Sequence, residues 1–409
     1  MGCVNSTASK DALRRSELDE ETSRRKSERL IEDKNSSFVD PVTGEVHFVG
    51  AENIADDKNR KDEDMDRINK KIGQSGPLTS AEYGRRIVSS EGVKNVTVPN
   101  ATFSMKVAYV SQRGYYPESL NKANQDAFCF HHKLGGTTDV FAGVFDGHGE
   151  HGTPCAEFAR DKIPELLSKD PSIAKQTKKA LFNSFVTANA KLHASSVDDS
   201  MSGTTAISAH LRGNHLSICN VGDSRAVAGE EKGGKTVAVD LSHDQTPFRA
   251  DECARVQKCG ARVLTLDQLE GLKDPNVQCW GTEEDDDGDP PRLWVPNGMY
   301  PGTAFTRSIG DHVAEKIGVS AEPEILERTL ESSTKYIVIA SDGVFEFLPS
   351  QSVMDMVTSH EDIHDAALEI VLESYRLWLQ FETRTDDITI IIMKLDWDNV
   401  ASPSAAANK

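Results

Sequence analysis

Short apolar runs alternate with Gly-containing turns from about residue 101 to residue 398. Three of these runs have the length of strands rather than of helices, and the first is unbroken: VFAGVF (140–145), KYIVIAS (335–341) and ITIIIMKL (388–395). Runs of this length that stop at acidic or Gly-flanked positions are typical of buried strands. The pattern therefore predicts one globular domain with a substantial β-sheet core.

Other segments predict how these strands are connected. TTAISAHL (204–211) and HLSICNV (215–221) flank a tight-turn signal at 212–214 and predict an antiparallel hairpin, and RAVAG (225–229) follows a second turn at 222–224. Helical periodicity recurs in two places, at Leu181, Phe185, Ala188 and Leu192, and at Ile363, Ala367, Ile370, Ser374 and Leu377. Thr153 and Pro154 predict a further helix, with Thr153 as its N-cap. Amphipathic helices beside hairpin-linked strands predict an α+β domain.

Residues 7 to about 98 are rich in charge, Ser and Asn, a composition that rarely builds a core. We therefore predict an N-terminal tether over 1–98, a globular domain over 99–398 and a disordered tail over 399–409. Within the tether, FVDPVTGEVHFVG (38–50) predicts a short hairpin around Thr43 and Gly44.

Composition excludes several functional classes. Among 409 residues, 65 acidic against 46 basic side chains give a net charge of −19, which repels nucleic acid. Seven cysteines without a CxxC pair indicate neither a disulfide framework nor a zinc cluster of cysteines. The apolar runs are too short for a membrane helix, and the first residues lack the pattern of a secretory signal. We expect the protein to lie in the cytosol or on a membrane surface that faces it.

The sequence starts with MGCVNS, which matches the acylation pattern M-G-x-x-x-S. Gly2 is the predicted site of myristoylation, and the adjacent Cys3 is the predicted site of palmitoylation. One myristoyl chain binds membranes only marginally, and the nearby basic residues are matched by acidic ones, so two lipid chains are expected. These signals predict attachment to the cytoplasmic face of the plasma membrane, with a soluble cytoplasmic pool.

Four carboxylates begin or end apolar runs: Asp126, Asp146, Asp342 and Asp386. One such residue is as readily explained by a turn cap, but four at strand rims repel one another unless a cation neutralises them. Oxygen ligands select Mg²⁺ or Mn²⁺ rather than zinc. Gly147 and Gly343, which follow two of these residues, allow close backbone approach.

The order NQD, FDGHG, SGTTA, NVGDSRAV, AFTRSIGD, ASDG and TDDIT resembles the metal-dependent protein phosphatases of type 2C over roughly 290 residues. Two longer stretches (111–128 and 279–311) are similar to the phosphatase module of plant proteins that also carry cyclic-nucleotide-binding and kinase domains. The resemblance implies two antiparallel β-sheets sandwiched between helices. It also implies hydrolysis of phosphoserine and phosphothreonine in protein substrates by water held between two Mg²⁺ or Mn²⁺ ions. The expected protein is a monomer.

The resemblance also assigns roles to residues. Asp146 bridges both metals, Gly147 ligates through its carbonyl oxygen, and Asp342 and Asp386 complete the second metal. Asp126 holds metal-bound water, and Asp223 holds a third metal with Asp342. His148, beside the bridging carboxylate, is the candidate general acid for the leaving alkoxide.

The sequence departs from the family pattern at several positions. Gln125 stands where Glu is common, which predicts weaker metal affinity because the amide has no charge. Asn121 replaces the phosphate-binding Arg, which leaves Arg113 or Lys122 as substitutes. Glu346 replaces an Asp and Asp387 replaces an Asn, and both changes are expected to be tolerated.

Two questions stay open at the level of sequence. The region between residues 260 and 306 occupies the place of the family's substrate-dependent flap, and its acidic run EEDDDGD (283–289) is either a solvated loop or a surface that favours basic phosphopeptides. A catalytically weak pseudophosphatase that acts as a scaffold is the main alternative function, supported by Asn121 and Gln125. A calcium-binding module would need a D-x-[DN]-x-[DN]-G loop, which the sequence lacks.

Overall fold

The computed structural model describes residues 93–277 and 290–397, together with the backbone of three short strands before them. In chain order the strands are β1 (Ser37–Val39), β2 (Val46–Phe48), β3 (Ile87–Ser89), β4 (Lys94–Thr97), β5 (Ser104–Gln112), β6 (Asp126–His131), β7 (Val140–His148), β8 (Gly203–Thr204), β9 (Ala206–Arg212), β10 (His215–Val221), β11 (Arg225–Lys232), β12 (Lys235–Asp240), β13 (Arg262–Leu264), β14 (Arg292–Trp294), β15 (Pro301–Thr303), β16 (Ile309–Gly310), β17 (Glu324–Thr329), β18 (Thr334–Ala340) and β19 (Ile388–Asp396). The helices are α1 (Gly152–Lys169), α2 (Thr177–His193), α3 (Ala250–Lys258), α4 (Leu266–Leu269), α5 (His312–Glu315), α6 (Asp342–Phe345), α7 (Ser350–Ser359) and α8 (Ile363–Phe381), and one 3₁₀ turn covers Leu134–Gly136.

Two seven-stranded antiparallel sheets form the centre of the domain. The first sheet has the order β16-β8-β7-β9-β10-β17, with β6 also paired to β7. The second sheet has the order β12-β11-β18-β19-β5-β3, with β4 also paired to β5. A separate small sheet, β13-β14-β15, lies in the flap region.

Helices cover the outer face of each sheet, so the layers run helix, sheet, sheet, helix. Apolar side chains fill the space between the sheets, as at Ile218 and Ile391. Helices α1 and α2 cover the first sheet through residues such as Leu181, and α7 and α8 cover the second sheet through residues such as Ile370. Each fully buried aliphatic side chain contributes about 1.5–3 kcal/mol. The predicted α+β sandwich is confirmed.

The predicted hairpin is confirmed as β9 and β10, with Arg212 opposite His215 and a two-residue turn between them. Gly213 in this turn has φ of 56°, a conformation that glycine adopts without steric cost. RAVAG, by contrast, does not extend this hairpin. It forms β11, which pairs with β12 and β18, so the turn at 222–224 carries the chain from the first sheet to the second.

The predicted start of α1 is wrong by two residues. The helix begins at Gly152 with His151 at the N-cap, and the Thr153 hydroxyl donates instead to the Asn124 carbonyl at 3.3 Å. The backbone N–H of His151 donates to Oγ of Ser202 at 3.0 Å. A distant residue in the fold, rather than a local side chain, therefore meets the hydrogen-bonding need at this helix end.

Backbone pairing also occurs before residue 99. Strands β1 and β2 pair antiparallel, in agreement with the hairpin predicted around Thr43 and Gly44, although the turn itself lies outside the described residues. Strands β3 and β4 both pair with β5. Gly2, Cys3 and the acidic run at 283–289 lie outside the described residues. No helix in 93–277 or 290–397 is long and apolar enough to span a membrane.

Candidate active site

The four strand-end carboxylates converge at one end of the sandwich. Asp126 and Asp146 stand opposite each other in the antiparallel pair β6–β7 of the first sheet. Asp342 lies two residues after β18 and Asp386 lies two residues before β19, and these strands are neighbours in the second sheet. The carboxyl groups of Asp146 and Asp342 are within hydrogen-bonding contact. The site is thus built from both sheets at once.

This convergence makes the cluster electrostatically unfavourable without a cation. Desolvation and repulsion by Asp342 raise the pKa of Asp146 well above its usual value. Desolvation, followed by repulsion from Asp223, does the same for the pKa of Asp342. Desolvation and the Asp387 charge raise the pKa of Asp126 to about 8. Such shifts are typical of carboxylates gathered for chemistry rather than for stability.

Hydrogen bonds from neighbouring groups orient these carboxylates. The Ser341 hydroxyl donates to Oδ2 of Asp126 at 2.9 Å, and the Tyr116 hydroxyl donates to Oδ1 of Asp386 at 2.7 Å. The backbone of Asp146 is fixed by Thr205, whose N–H donates to the Asp146 carbonyl at 2.8 Å. The side chains are therefore held in place by partners from other elements.

The glycines beside the carboxylates are required by close backbone packing. A Cβ on Gly147 would lie 2.7 Å from the Gln125 carbonyl oxygen, and a Cβ on Gly343 would collide with the backbone of Asp387. The predicted close approach at both positions is what the structure shows. At Gly147 it keeps β7 against the segment that leads into β6, since the Gly147 N–H donates to the Gln125 carbonyl at 3.1 Å.

His148 lies at the end of β7 and is paired with Asp311. Its Nε2 is 2.6 Å from Oδ2 of Asp311, and the same oxygen accepts the Ser308 hydroxyl at 2.6 Å. The Phe305 ring packs against the imidazole with centroids 4.4 Å apart. Desolvation alone would lower the pKa of His148, but the Asp311 carboxylate outweighs it and raises that pKa. The arrangement favours a protonated imidazole, as a general acid requires.

Asp223 occupies the turn between β10 and β11, within electrostatic range of both Asp342 and His148. Desolvation, followed by repulsion from Asp244, raises the pKa of Asp223 to about 7. Arg225 is bound to Asp244 at 2.6 Å. Asp223 therefore adds a further carboxylate to the predicted metal-binding cluster.

Two positions that depart from the family pattern, Asp387 and Gln125, lie next to the carboxylate cluster and have structural roles. The Asp387 carboxylate accepts hydrogen bonds from the backbone N–H groups of Gly114 at 2.6 Å and Gln125 at 2.8 Å. These bonds hold the segment before β6 against the second sheet. The Gln125 amide nitrogen donates to the Gly149 carbonyl at 2.8 Å. Gln125 thus supports the loop that follows His148.

The two candidate phosphate-binding cations differ in their surroundings. The Arg113 guanidinium donates to the Leu120 carbonyl at 2.6 Å, and desolvation lowers its pKa. The Lys122 ammonium lies 3.8 Å from the centre of the Tyr116 ring, whose hydroxyl binds Asp386. Lys122 is therefore linked to the carboxylate cluster through one side chain, whereas Arg113 is used to brace a loop.

The comparisons with known proteins agree with this geometry. The family model described as "Protein phosphatase 2C" matches residues 119–380. "Probable protein phosphatase 2C 35" of Arabidopsis thaliana is 54% identical over 302 residues, which cover 74% of this chain and 87% of that protein. "Probable protein phosphatase 2C 64" of Oryza sativa subsp. japonica is 32% identical and covers 73% and 69%. The chain belongs to the protein phosphatase 2C family. It is therefore a metal-dependent protein phosphatase.

A solved structure supports the fold independently of sequence. The serine-threonine phosphatase 2C from Toxoplasma gondii superposes with a TM-score of 0.60 at 16% identity, over 76% of this chain and 99% of that one. At this identity the likeness establishes the fold alone.

The residues of this phosphatase fit the Mg²⁺ or Mn²⁺ on which the family depends. Oδ1 of Asp126 and Oδ1 of Asp342 are buried and have no hydrogen-bond partner among the described residues. Both belong to the carboxylate cluster, and hard oxygen ligands are what these cations prefer. The donor set and its orphaned oxygens match a divalent cation site.

Sequence reasoning missed two residues of this phosphatase site. Asp311 stands in the AFTRSIGD motif but received no role, and the acidic residue of a recognised motif was the signal that could have found it. Tyr116 gave no such signal, because its partner Asp386 is 270 positions away. Both act on a predicted site residue rather than on the metals directly.

Proposed function

We propose that this chain hydrolyses phosphoserine and phosphothreonine in proteins at the carboxylate cluster, by direct attack of water and without a phosphoenzyme. The observation that carries the proposal is the convergence of four carboxylates from two sheets. The pKa values of three of them, Asp126, Asp146 and Asp342, are raised, and Asp126 and Asp342 each have a buried oxygen without a hydrogen-bond partner among the described residues. Asp146, Gly147, Asp342 and Asp386 would hold two cations, Asp126 would hold their water, and Asp223 would contribute to a third site.

The chain's own residues supply the remaining chemistry. When bound, the cations supply an acidified water and neutralise the phosphate oxygens. His148 donates its proton to the leaving serine or threonine oxygen, and Asp311 keeps that proton on the imidazole beforehand. Both cations remain candidates for the phosphate. Lys122 lies over the Tyr116 ring, and Arg113 uses Nη2 for the Leu120 carbonyl while its Nε has no hydrogen-bond partner among the described residues.

The alternative is a catalytically weak scaffold that keeps the fold. It is favoured by the neutral Gln125 and Asn121 where the family pattern has charged residues. Against it, Asp311 pairs with His148 and raises the pKa of its imidazole, which favours the protonated form that a general acid requires.

Phosphate release from a phosphothreonine peptide decides between these two functions. We expect the purified full chain to release phosphate with Mn²⁺ or Mg²⁺ and to lose at least about 99% of that activity in excess EDTA, because acidified water and phosphate neutralisation both come from the metals. Returning Mn²⁺ should restore the rate. A folded protein that releases no phosphate with either metal would establish the scaffold instead.

We further propose that acylation at Gly2 and Cys3 attaches the phosphatase to the cytoplasmic face of the plasma membrane, with the residues before β3 as the tether, because β3 and β4 pair with β5 of the domain. The support is the MGCVNS pattern and the lack of a net basic patch that would replace the second lipid. That the protein is a monomer stays a prediction. Its particular likeness to the phosphatase module of phosphatase–kinase fusion proteins also stays a prediction, since the relatives above are named as phosphatases alone.

Labelling of cells with an alkyne analogue of myristate tests the tether. We expect the wild-type chain to be labelled and to sediment with membranes, and Gly2→Ala to lose both properties. Cys3→Ser should keep the label but shift to the soluble fraction, because one myristoyl chain gives only marginal binding. Membrane sedimentation of Gly2→Ala at the wild-type level would contradict lipid anchoring.

A further inference from the structure

A second cluster of metal-ligating side chains lies outside the carboxylate site, where the last turn of α2 meets the short helix α5. His193, His312 and Glu315 place their ligand atoms within 4.8 Å of one another. Nε2 of His193 is 3.1 Å from Oε2 of Glu315, and Nδ1 of His312 is 4.0 Å from the same oxygen. Tetrahedral zinc, with bonds of about 2.0–2.2 Å, keeps its ligand atoms roughly 3.3–3.6 Å apart. The two distances to the Glu315 oxygen, 3.1 and 4.0 Å, lie on either side of that spacing.

Hydrogen bonds around His193 are compatible with the tautomer that binds a metal through Nε2. The Gly310 N–H donates to Oδ1 of Asn189 at 2.8 Å, so Nδ2 of Asn189 points to Oε1 of Glu315 at 2.7 Å and to Nε2 of His193 at 3.1 Å. In the neutral tautomer with its proton on Nδ1, the Nε2 lone pair faces Glu315 and Nδ1 donates to Oδ2 of Asp199 at 2.5 Å.

Nε2 of His193 lies 3.1 Å from Oε2 of Glu315. Either a proton on Nε2 or a metal cation between the two atoms makes this contact attractive. Asp199 also provides what metal-binding histidines usually have, a carboxylate that accepts the proton of the other ring nitrogen. Its side chain is only 10% exposed, so it is a fixed part of the fold.

The other cluster of potential metal ligands found among the described residues lacks both the imidazoles and the need for a cation. Asp251, Glu252 and Glu324 also lie close together, but Arg249, Arg255 and Arg307 neutralise them through hydrogen bonds. That cluster is an ion-pair network with its cations already in place. The cluster on α2 and α5 combines two imidazoles with one carboxylate, a donor set that suits zinc better than magnesium.

We propose that His193, His312 and Glu315 bind Zn²⁺, with Asp199 orienting His193 and water as the fourth ligand. The ion can enter from solvent, since the side chains of the three ligands are 22%, 53% and 26% exposed. This site is chemically distinct from the all-oxygen carboxylate cluster and does not depend on it.

The position of the site links it to the general acid. His312 follows Asp311 directly, and Asp311 holds His148. The N–H groups of Asp311 and His312 donate to the carbonyls of Ser202 and Asp199. Zinc would therefore fasten α5 to α2 and stabilise the segment from which Asp311 reaches His148.

Zinc binding by the full chain, measured in excess Mg²⁺ to occupy the oxygen site, tests the proposal. We expect one Zn²⁺ per chain, bound with imidazole ligands in the X-ray absorption spectrum, and a rise in the thermal unfolding midpoint. His312→Ala should weaken zinc affinity at least about 100-fold and remove that rise, and Asp199→Asn should weaken it about 10–100-fold. His312 is half-exposed, so its replacement is compatible with folding.

The matched control is His215→Ala, which removes another exposed histidine that faces a glutamate, Glu327, at 3.6 Å. This variant should bind zinc like the wild type. The proposal is overturned if the wild type binds no zinc in excess Mg²⁺, if the bound ion shows no imidazole ligands, or if His312→Ala binds it with wild-type affinity. None of these readouts requires phosphatase activity, so they stand apart from the proposed function.

Discussion

Asp146→Asn should reduce phosphopeptide hydrolysis by about 10³-fold or more while leaving the fold intact. Losing only a hydrogen-bond partner of a metal ligand typically costs 10–100-fold, and this substitution removes the charge of the ligand proposed to bridge both cations. Asn has the same shape as Asp and keeps one acceptor oxygen. Steady-state kinetics with saturating Mn²⁺ measure the loss, which should appear in kcat because the metals act on the reacting groups.

Stability measured in EDTA provides the second readout for Asp146→Asn. Desolvation and repulsion by Asp342 raise the pKa of Asp146, so the ionised carboxylate destabilises the metal-free fold. We expect the variant to unfold at the same urea concentration as the wild type or at a higher one. The control Asp198→Asn changes an exposed carboxylate that accepts only from Ser200 in the described contacts, and it should keep full activity. Near-normal hydrolysis by Asp146→Asn would remove this residue from the mechanism.

The carboxylate cluster was predictable from sequence because each member has a local signal. An apolar run that stops at an acidic residue marks both the strand and its rim, and this holds for Asp146 and Asp342 without knowledge of the partner strands. The sandwich was predictable for a similar reason, since the runs and the amphipathic helices have clear periods. The pairing of β6 with β7 brings Asp126 to Asp146, whereas Asp342 and Asp386 reach them only because the two sheets pack on each other.

Other features could not be predicted because their cause is distant in sequence. The start of α1 depends on Ser202, 51 positions from His151, and the orientation of His148 depends on Asp311, 163 positions away. The crossing of RAVAG from one sheet to the other depends on which strands β11 pairs with, and turn chemistry does not specify that. Local patterns determine the elements, whereas tertiary hydrogen bonds determine their exact ends and the orientation of the site residues.

The carboxylate cluster weakens the metal-free fold, so stabilising interactions must lie elsewhere. Burial of several repelling carboxylates is unfavourable until cations bind. Next to the site, the segment that carries Thr306, Arg307 and Asp311 is fastened to α3 by a buried ion-pair network centred on Glu252. This network offsets the destabilisation by the carboxylate cluster, because its charges are paired and both carboxylate oxygens of Glu252 accept hydrogen bonds.

Glu252→Ala is therefore expected to lower the free energy of unfolding by about 3–5 kcal/mol, which is the typical cost of removing one partner of a buried ion pair. Glu252 is 2% exposed and accepts hydrogen bonds from Arg307 at 2.8 Å, Arg255 at 2.6 Å and Thr306 at 2.6 Å. Its removal leaves the Arg307 guanidinium, whose side chain is 14% exposed, without its main partner. Urea unfolding of the metal-free protein measures the difference.

Asp251→Ala is the matched control, because it removes a neighbouring carboxylate of the same helix that is 69% exposed and pairs with Arg249. Exposed pairs contribute at most about 1 kcal/mol, so this variant should unfold close to the wild type. Burial alone would raise the pKa of Glu252, but the hydrogen bonds from Arg307, Arg255 and Thr306 outweigh it and hold that pKa well below its usual value. The stabilisation by ionised Glu252 is complete above the pKa of Glu in the unfolded chain and is lost progressively as the pH falls below it. The difference in the free energy of unfolding between the wild type and Glu252→Ala should therefore decrease in acid. Equal destabilisation by the two substitutions would show that the network is no stronger than a surface ion pair.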